Sequence, residues 1–312
     1  MISKYIDSLI DKSTPEKPFW NQELIRQNKT SHWNYIDGCM MTAFLTLYND
    51  GHDQKYLNFV KKFIDHFVND KGDIRTFNKE DYNLDNINEG RALFKLYDYT
   101  GDTKYKLALD NIYSQILQQP RTREGNFWHK LIYPNQVWLD GLYMSLPFYL
   151  EYDKRFNNKQ NYEDIFKQIR HVYNIMRDKE TGLYYHGYDS ERTTNWCNKT
   201  TGLSSNFWLR ALGWFYMALV DILEILDSDD TEYREFIITI FKDLTDSVLK
   251  YQDQSGMWYQ IIDKGFVSGN YLETSGSAIL SYGILKAVKL AILHKDYKIY
   301  GLKAFYGICN RY

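Results

Sequence analysis

The chain has 312 residues, of which 38 are basic and 40 acidic, for a formal net charge of -2. That balance argues against nucleic acid or an anionic membrane as a partner, and no stretch approaches the roughly 18 apolar residues of a membrane span. The start of the chain lacks an apolar run of signal-peptide length, and the three cysteines, at 39, 197 and 309, have neither a paired nor a metal-ligand spacing; a soluble, cytoplasmic protein is expected.

Helical periodicity runs through the chain. An N-terminal helix is expected around residues 4–9 or 21–27. From there, runs that are apolar almost throughout alternate with amphipathic ones. Residues 38–48 are followed by 56–68, 90–99 by 103–117, 141–152 by 162–176, 208–226 by 231–251, and 276–293 by 297–308. A helix apolar on every side is enclosed, whereas an amphipathic one meets solvent on one face. The alternation therefore describes inner and outer helices in two concentric rings. Turn residues such as Gly101-Asp102 and Asp227-Ser228-Asp229-Asp230 join consecutive helices. Glycines 38, 90, 141, 213 and 276 open the inner helices and mark an internal repeat of helical hairpins. The polar residues beside them are expected to converge on one site. Five inner and six outer helices make eleven, so the reading is an all-α (α/α)6 toroid lacking its last inner helix. It forms one domain over residues 1–312, with exposed apolar faces on the first and fifth inner helices and self-association through the open ring.

The candidate chemistry lies at the helix starts. In Val137-Trp138-Leu139-Asp140-Gly141, Asp140 reads as a helix cap or first-turn residue, or as an acid whose proton affinity is raised by burial against Trp138. Asp85 lies one hairpin earlier, and two neighbouring carboxyl groups suit acid–base work because each raises the other's proton affinity. His129 lies upstream of Asp140, and His186 stands between tyrosines in a loop, where a histidine by itself is more often structural. Arg210 opens an otherwise apolar helix, where a guanidinium needs an anion. That anion is either a ligand or a structural partner, with Asp140 and Glu273 as candidates. Aromatic residues make up 17% of the chain, with 28 Tyr, 17 Phe and 8 Trp. Most belong to the core, but several Trp sit at helix starts, where a sugar could stack. Phosphate loops, zinc-protease motifs and nucleophile elbows are missing from the sequence, and neither a metal nor a cofactor is expected.

Four segments in order carry a family resemblance: Gln136-Val137-Trp138-Leu139-Asp140-Gly141, Tyr185-His186-Gly187-Tyr188-Asp189, Phe207-Trp208-Leu209-Arg210-Ala211-Leu212-Gly213-Trp214 and Glu273-Thr274-Ser275-Gly276-Ser277-Ala278. From about Trp33 to Leu293 the chain resembles the unsaturated rhamnogalacturonyl hydrolases of glycoside hydrolase family 105, relatives of the family 88 unsaturated glucuronyl hydrolases. The resemblance implies a six-hairpin toroid and an oligosaccharide substrate ending in a 4,5-unsaturated uronic acid. Asp140 would be the general acid/base and Asp85 the second carboxylate. His129, His186 and Arg210 would contact the sugar and its carboxylate, and Trp138, Trp208 and Trp214 would form aromatic walls, with Tyr35 a weaker transfer. The alternatives are a family 88-like enzyme acting on glycosaminoglycan disaccharides and a sugar-binding toroid with impaired catalysis.

Overall fold

The computed structural model describes residues 2–311, in two compact units, Met1–Gln119 and Pro120–Tyr312. The first unit is helical. Both N-terminal positions considered for a helix form one, α1 (Ile2–Asp11) and α2 (Gln22–Arg26). Next come α3 (Tyr35–Gly51), α4 (Gln54–Asp65), the short α5 (Asp85–Asn88), α6 (Arg91–Thr100) and α7 (Thr103–Gln118). Their boundaries follow local chemistry. Asn34 Oδ1 accepts the N–H groups of Ile36 and Asp37 to cap α3, and Asp53 and Asp102 cap α4 and α7 in the same way. Helix α6 stops at Gly101, whose φ of +66° is the left-handed conformation that glycine adopts without steric cost. Helix α3 packs on α4 and α6, and α6 on α7. Trp20, Phe44, Phe59 and Phe63 interlock their rings between α3 and α4 at centroid distances of 5.4–6.2 Å.

The second unit contains α8 (Leu139–Phe156), α9 (Tyr162–Met176), α10 (Leu209–Ile225), α11 (Thr231–Leu249), α12 (Thr274–Lys289) and α13 (Lys298–Arg311). Most of these helices match the periodic runs to within a few residues. The expected all-apolar helices α8 and α10 are buried along almost their whole length, while α9 and α11 bury one face. Helix α10 lies between α8 and α12. The α10–α12 approach is close at Gly213, where an added Cβ would stand 3.3 Å from the Ile279 side chain. Buried Asp221 of α10 ties the two helices through Lys286 of α12, 2.7 Å away.

Two features depart from the sequence reading. Four short strands were not anticipated: β1 (Gln136–Trp138) pairs antiparallel with β2 (Gly187–Asp189), and β3 (Trp258–Tyr259) with β4 (Leu272–Glu273). Each is two or three residues long, too short for a period-2 pattern to show. Broad exposed apolar faces on the first and fifth inner helices are also not found. The exposed positions of α3 are Ala43, Thr46, Asn49, Asp50 and Gly51, and those of α12 are Ser275, Ala278, Tyr282 and Lys289. These side chains are small or polar apart from Tyr282.

Candidate active site

Seven of the nine candidate residues belong to the second unit, where the starts of α8 and α10 organise them. Strand β1 runs directly into α8, so Trp138 is its N-cap residue and Asp140 sits one residue inside the first turn, half-buried. Trp208 is likewise the N-cap of α10, and Arg210 lies one residue inside that helix. Neither tryptophan makes a side-chain cap bond. Backbone carbonyls of neighbouring loops serve instead: Leu139 N–H donates to His186 O (3.1 Å) and Leu209 N–H to Gln260 O (2.9 Å).

One turn farther in, the Tyr143 ring of α8 stacks on the Trp214 ring of α10 with centroids 4.9 Å apart. Tyr143 follows Asp140 by three residues and Trp214 follows Arg210 by four, so that stack sets the two helix starts side by side. Between the N-cap tryptophans lies His186, its ring 5.6 Å from Trp138 and 6.0 Å from Trp208. These rings form an aromatic wall at the helix starts that carry Asp140 and Arg210. Trp214 is almost buried.

The polar groups are specifically held. His186 Nδ1 donates to the carbonyl of Asn206 at 2.8 Å, with Ser204 Oγ 3.1 Å away. Burial holds the proton affinity of this imidazole below its ordinary value, against the opposing effect of the Asn206 carbonyl. His129 is buried, and its N–H donates to Gln136 O (2.9 Å) in the turn that leads into β1. Arg210 stacks its guanidinium 4.6 Å from the centre of the Trp208 ring. Of the two carboxylates considered as its structural partners, neither forms an ion pair with it among the described residues. Glu273 is committed elsewhere, capping α12 by accepting Ser275 N–H (3.1 Å) and Gly276 N–H (2.6 Å).

Other polar residues at the glycine-marked helix starts are likewise held within their own units. Besides Glu273, the Asp37 and Glu89 side chains are buried in the first unit. Asp37 accepts from Trp20 Nε1, Ser31 and Asn34, and Glu89 accepts Asn34 N–H at 2.7 Å. Asp85 also belongs to the first unit as the half-buried first residue of α5, with its N–H donated to Asn83 Oδ1 (3.1 Å). Tyr35 there begins α3.

The sequence reading missed the loop after β2. Asp189 is buried and accepts the N–H groups of Glu191, Thr193 and Thr194 at 2.8–3.0 Å. This bends residues 190–206 into a fixed loop whose Trp196 ring stands 5.2 Å from Trp138. Glu124 braces β2 from outside by accepting from Tyr188 and Ser190. Burial would raise its pKa, but the bonds from Arg123, Ser190 and Tyr188 outweigh it and hold the group at about 2. A tryptophan in a wholly polar stretch, Thr194-Asn195-Trp196-Cys197-Asn198, was the available signal. Among the described residues, the carboxylates of Asp227, Asp229 and Asp230 cluster closely enough to share a cation. Lys154 and Lys159 already bridge that cluster, away from the aromatic wall.

The sequence profile of Glycosyl Hydrolase Family 88 matches residues 5–311. The solved structure of a family 105 glycoside hydrolase from C. acetobutylicum superposes with a TM-score of 0.87 at 41% identity, covering 93% of this chain and 81% of that one. The likeness assigns the all-α, α/α-toroid fold class. A protein encoded in the picA locus of Rhizobium radiobacter is 40% identical over 155 residues, 49% of this chain; the match spans 64% of that relative's length, under two thirds. The unsaturated rhamnogalacturonyl hydrolase YesR of Bacillus subtilis is 24% identical over 264 residues, 83% of this chain and 72% of YesR. Among the described residues, no helix is long and apolar enough to cross a membrane.

Proposed function

The chain belongs to Glycosyl Hydrolase Family 88, and from that premise we propose that it removes a 4,5-unsaturated uronic acid from the non-reducing end of rhamnogalacturonan-derived oligosaccharides. The observation that carries this reading is Arg210: a guanidinium stacked on Trp208, without a carboxylate partner among the described residues, at a helix start beside the one that holds Asp140. A uronate is a sugar that brings its own carboxylate, and it matches an arginine and an aromatic wall together.

The unsaturated end is a vinyl ether, so the reaction is a hydration. Asp140 gives its proton to C4 of the double bond, and the oxygen of water adds to C5. The water's remaining proton returns to the carboxylate. The resulting hemiketal opens to a ketone, and the sugar formerly joined at C1 leaves. Asp85 would hold the water or tune Asp140, while His129 and His186 contact the sugar. The two-carboxylate spacing rule for displacement at the anomeric carbon does not apply, because C1 is not attacked. All of residues 1–312 would act as one catalytic domain in the cytoplasm, a setting consistent with cysteines that form no disulfide among the described residues.

The test is incubation with lyase-generated unsaturated rhamnogalacturonan disaccharide while following the ultraviolet absorbance of the double bond. Loss of absorbance with release of rhamnose supports the reading. Turnover confined to glycosaminoglycan disaccharides would move the substrate to the glucuronyl class. Binding without turnover of either would replace the enzyme with a sugar-binding toroid.

A further inference from the structure

Residues 207–209 and 260–262 run antiparallel at the start of α10. Leu209 N–H donates to Gln260 O (2.9 Å), Ile262 N–H donates to Phe207 O (3.2 Å), and Trp208 pairs with Ile261 between them. The pairing sets the loop between β3 and β4 beside Asn206. Lys264 stands in that loop, two residues past the paired segment, on a backbone clamped from both sides. Its N–H donates to Ile261 O (3.1 Å), and its carbonyl accepts from Asn270 Nδ2 (2.8 Å). Asn270 closes the same turn by bonding both the N–H and the carbonyl of Ile261.

The half-buried Lys264 ammonium lies 2.6 Å from Asn206 Oδ1. An ammonium only donates, so the amide turns its oxygen to Lys264 and its nitrogen away. Asn206 Nδ2 accordingly donates to Ser205 Oγ (3.0 Å). A hydrogen bond from a charged donor is roughly twice as strong as a neutral one. No carboxylate pairs with Lys264 among the described residues. A half-buried cation without a counter-ion depends on the acceptor it has, so Lys264 and Asn206 hold one another.

The backbone carbonyl of the same Asn206 accepts the Nδ1 proton of His186 at 2.8 Å. Ser204 Oγ stands nearly as close to Nδ1, at 3.1 Å, and a hydroxyl donates as readily as it accepts. With the Asn206 carbonyl displaced, Ser204 would donate to Nδ1 and the ring proton would move to Nε2. The carbonyl thus decides between two tautomers. The tautomer in turn decides whether Nε2 meets a ligand as an acceptor or as a donor.

We propose that Lys264 is a positioning residue: by holding Asn206 it keeps His186 in the Nδ1–H tautomer, with Nε2 left to accept from the substrate. Lys264 acts through Asn206 and not on the substrate itself. The inference rests on the hydrolase reading for the use made of Nε2, whereas the hold on the tautomer is a property of the free protein.

The test reads the imidazole nitrogen resonances of His186 by NMR at neutral pH, identified by their loss in His186→Gln. Lys264→Met removes the donor and keeps the length of the side chain, and Lys264→Arg restores a charged donor. The wild type should show a protonated Nδ1 and an unprotonated Nε2. In Lys264→Met the two resonances should converge as the Nε2–H form gains population, and Lys264→Arg should return them toward their wild-type positions. On unsaturated rhamnogalacturonan disaccharide, KM should rise about three- to tenfold in Lys264→Met, the scale of one neutral hydrogen bond, with kcat within about twofold. Lys264→Arg should recover most of that KM.

Unchanged resonances in Lys264→Met overturn the proposal whatever happens to KM: a raised KM would make Lys264 a direct contact, and an unchanged KM a loop clamp. Converging resonances with an unchanged KM overturn it as well, since the tautomer would then serve no binding step. A wild type that leaves the double bond intact, with the resonances behaving as expected, overturns the hydrolase reading and leaves the hold of Lys264 on the tautomer standing.

Discussion

His186 Nδ1 lies 2.8 Å from the carbonyl oxygen of Asn206, and that contact fixes which nitrogen carries the proton. A carbonyl only accepts, so Nδ1 is the donor and Nε2 keeps a lone pair. Burial disfavours the imidazolium and lowers the pKa from its ordinary 6.5. On the proposed function, a neutral ring with an accepting Nε2 would receive a sugar hydroxyl and leave the uronate to Arg210. The folded state thus binds fewer protons here than the unfolded chain as pH falls below about 6.5, so stability declines through that window. The variant His186→Gln should show a shallower loss of melting temperature between pH 6.5 and 5 than the wild type. Its kcat/KM should fall about tenfold at neutral pH, the loss of one hydrogen bond. Equal melting slopes in the two proteins would show that the ring is already protonated in the fold.

Asp140 can be removed without removing the start of its helix. The N-cap position belongs to Trp138, Leu139 N–H is met by His186 O, and α8 is buried along nearly its full length. Asp140→Asn should lower the rate by roughly 10²–10⁴, the usual contribution of a general acid–base group, with the melting temperature within a few degrees of the wild type. A folded variant with full rate would sink the proposed proton transfer.

Asp37 and Glu89 form a second, deeply buried acidic pair that the mechanism does not use. Burial raises the Glu89 pKa well above its ordinary value, and the nearby Asp37 charge adds to the effect; the Asn34 N–H acts in the opposite direction. Burial also raises Asp37. A carboxyl with a raised folded pKa contributes fully below its unfolded value, near 4.5, and that stability is lost as pH rises toward the folded value. Glu89→Gln keeps the shape and removes the titration. Its melting temperature should gain on the wild type steadily from pH 5 to pH 8. A constant difference across that range would mean that Glu89 is charged in the fold.

The long helices were legible because each is one strong period repeated over ten or more residues, as in α9, where Tyr162–Met176 matches the periodic run at both ends. The candidate site was legible where chemistry and position coincide. An arginine or an aspartate one residue inside an apolar helix is conspicuous in sequence, and Asp140, Arg210, Trp138 and Trp208 all stand at such starts. What escaped notice depends on long-range pairing. Nothing local distinguishes Glu273, a helix cap, from Arg210, a stacked cation without an ion-pair partner among the described residues. Trp196 reaches Trp138 only because Asp189 gathers three backbone N–H groups around it, and a polar loop gives no period from which to read that fold.

Arg210 separates the functional and structural readings most cleanly. Breaking a buried salt bridge by removing one partner typically costs 3–5 kcal/mol, since it strands the other charge. Here there is no partner to strand among the described residues: Glu273 caps α12, and the guanidinium rests on Trp208. Arg210→Met retains much of the apolar contact with Trp208 and removes only the charge. Its melting temperature should match or exceed that of the wild type, because a half-buried cation without an ion-pair partner has been replaced by an apolar chain. Activity should move the other way. A charge-assisted hydrogen bond contributes about 1.5–3 kcal/mol, so kcat/KM on the unsaturated disaccharide should drop about 10- to 100-fold. The drop should be smaller for the methyl ester of the same substrate, whose carboxyl carries no charge. A variant that melts far below the wild type, yet loses activity equally on acid and ester, would make Arg210 a structural residue and remove the carboxylate from its assigned place.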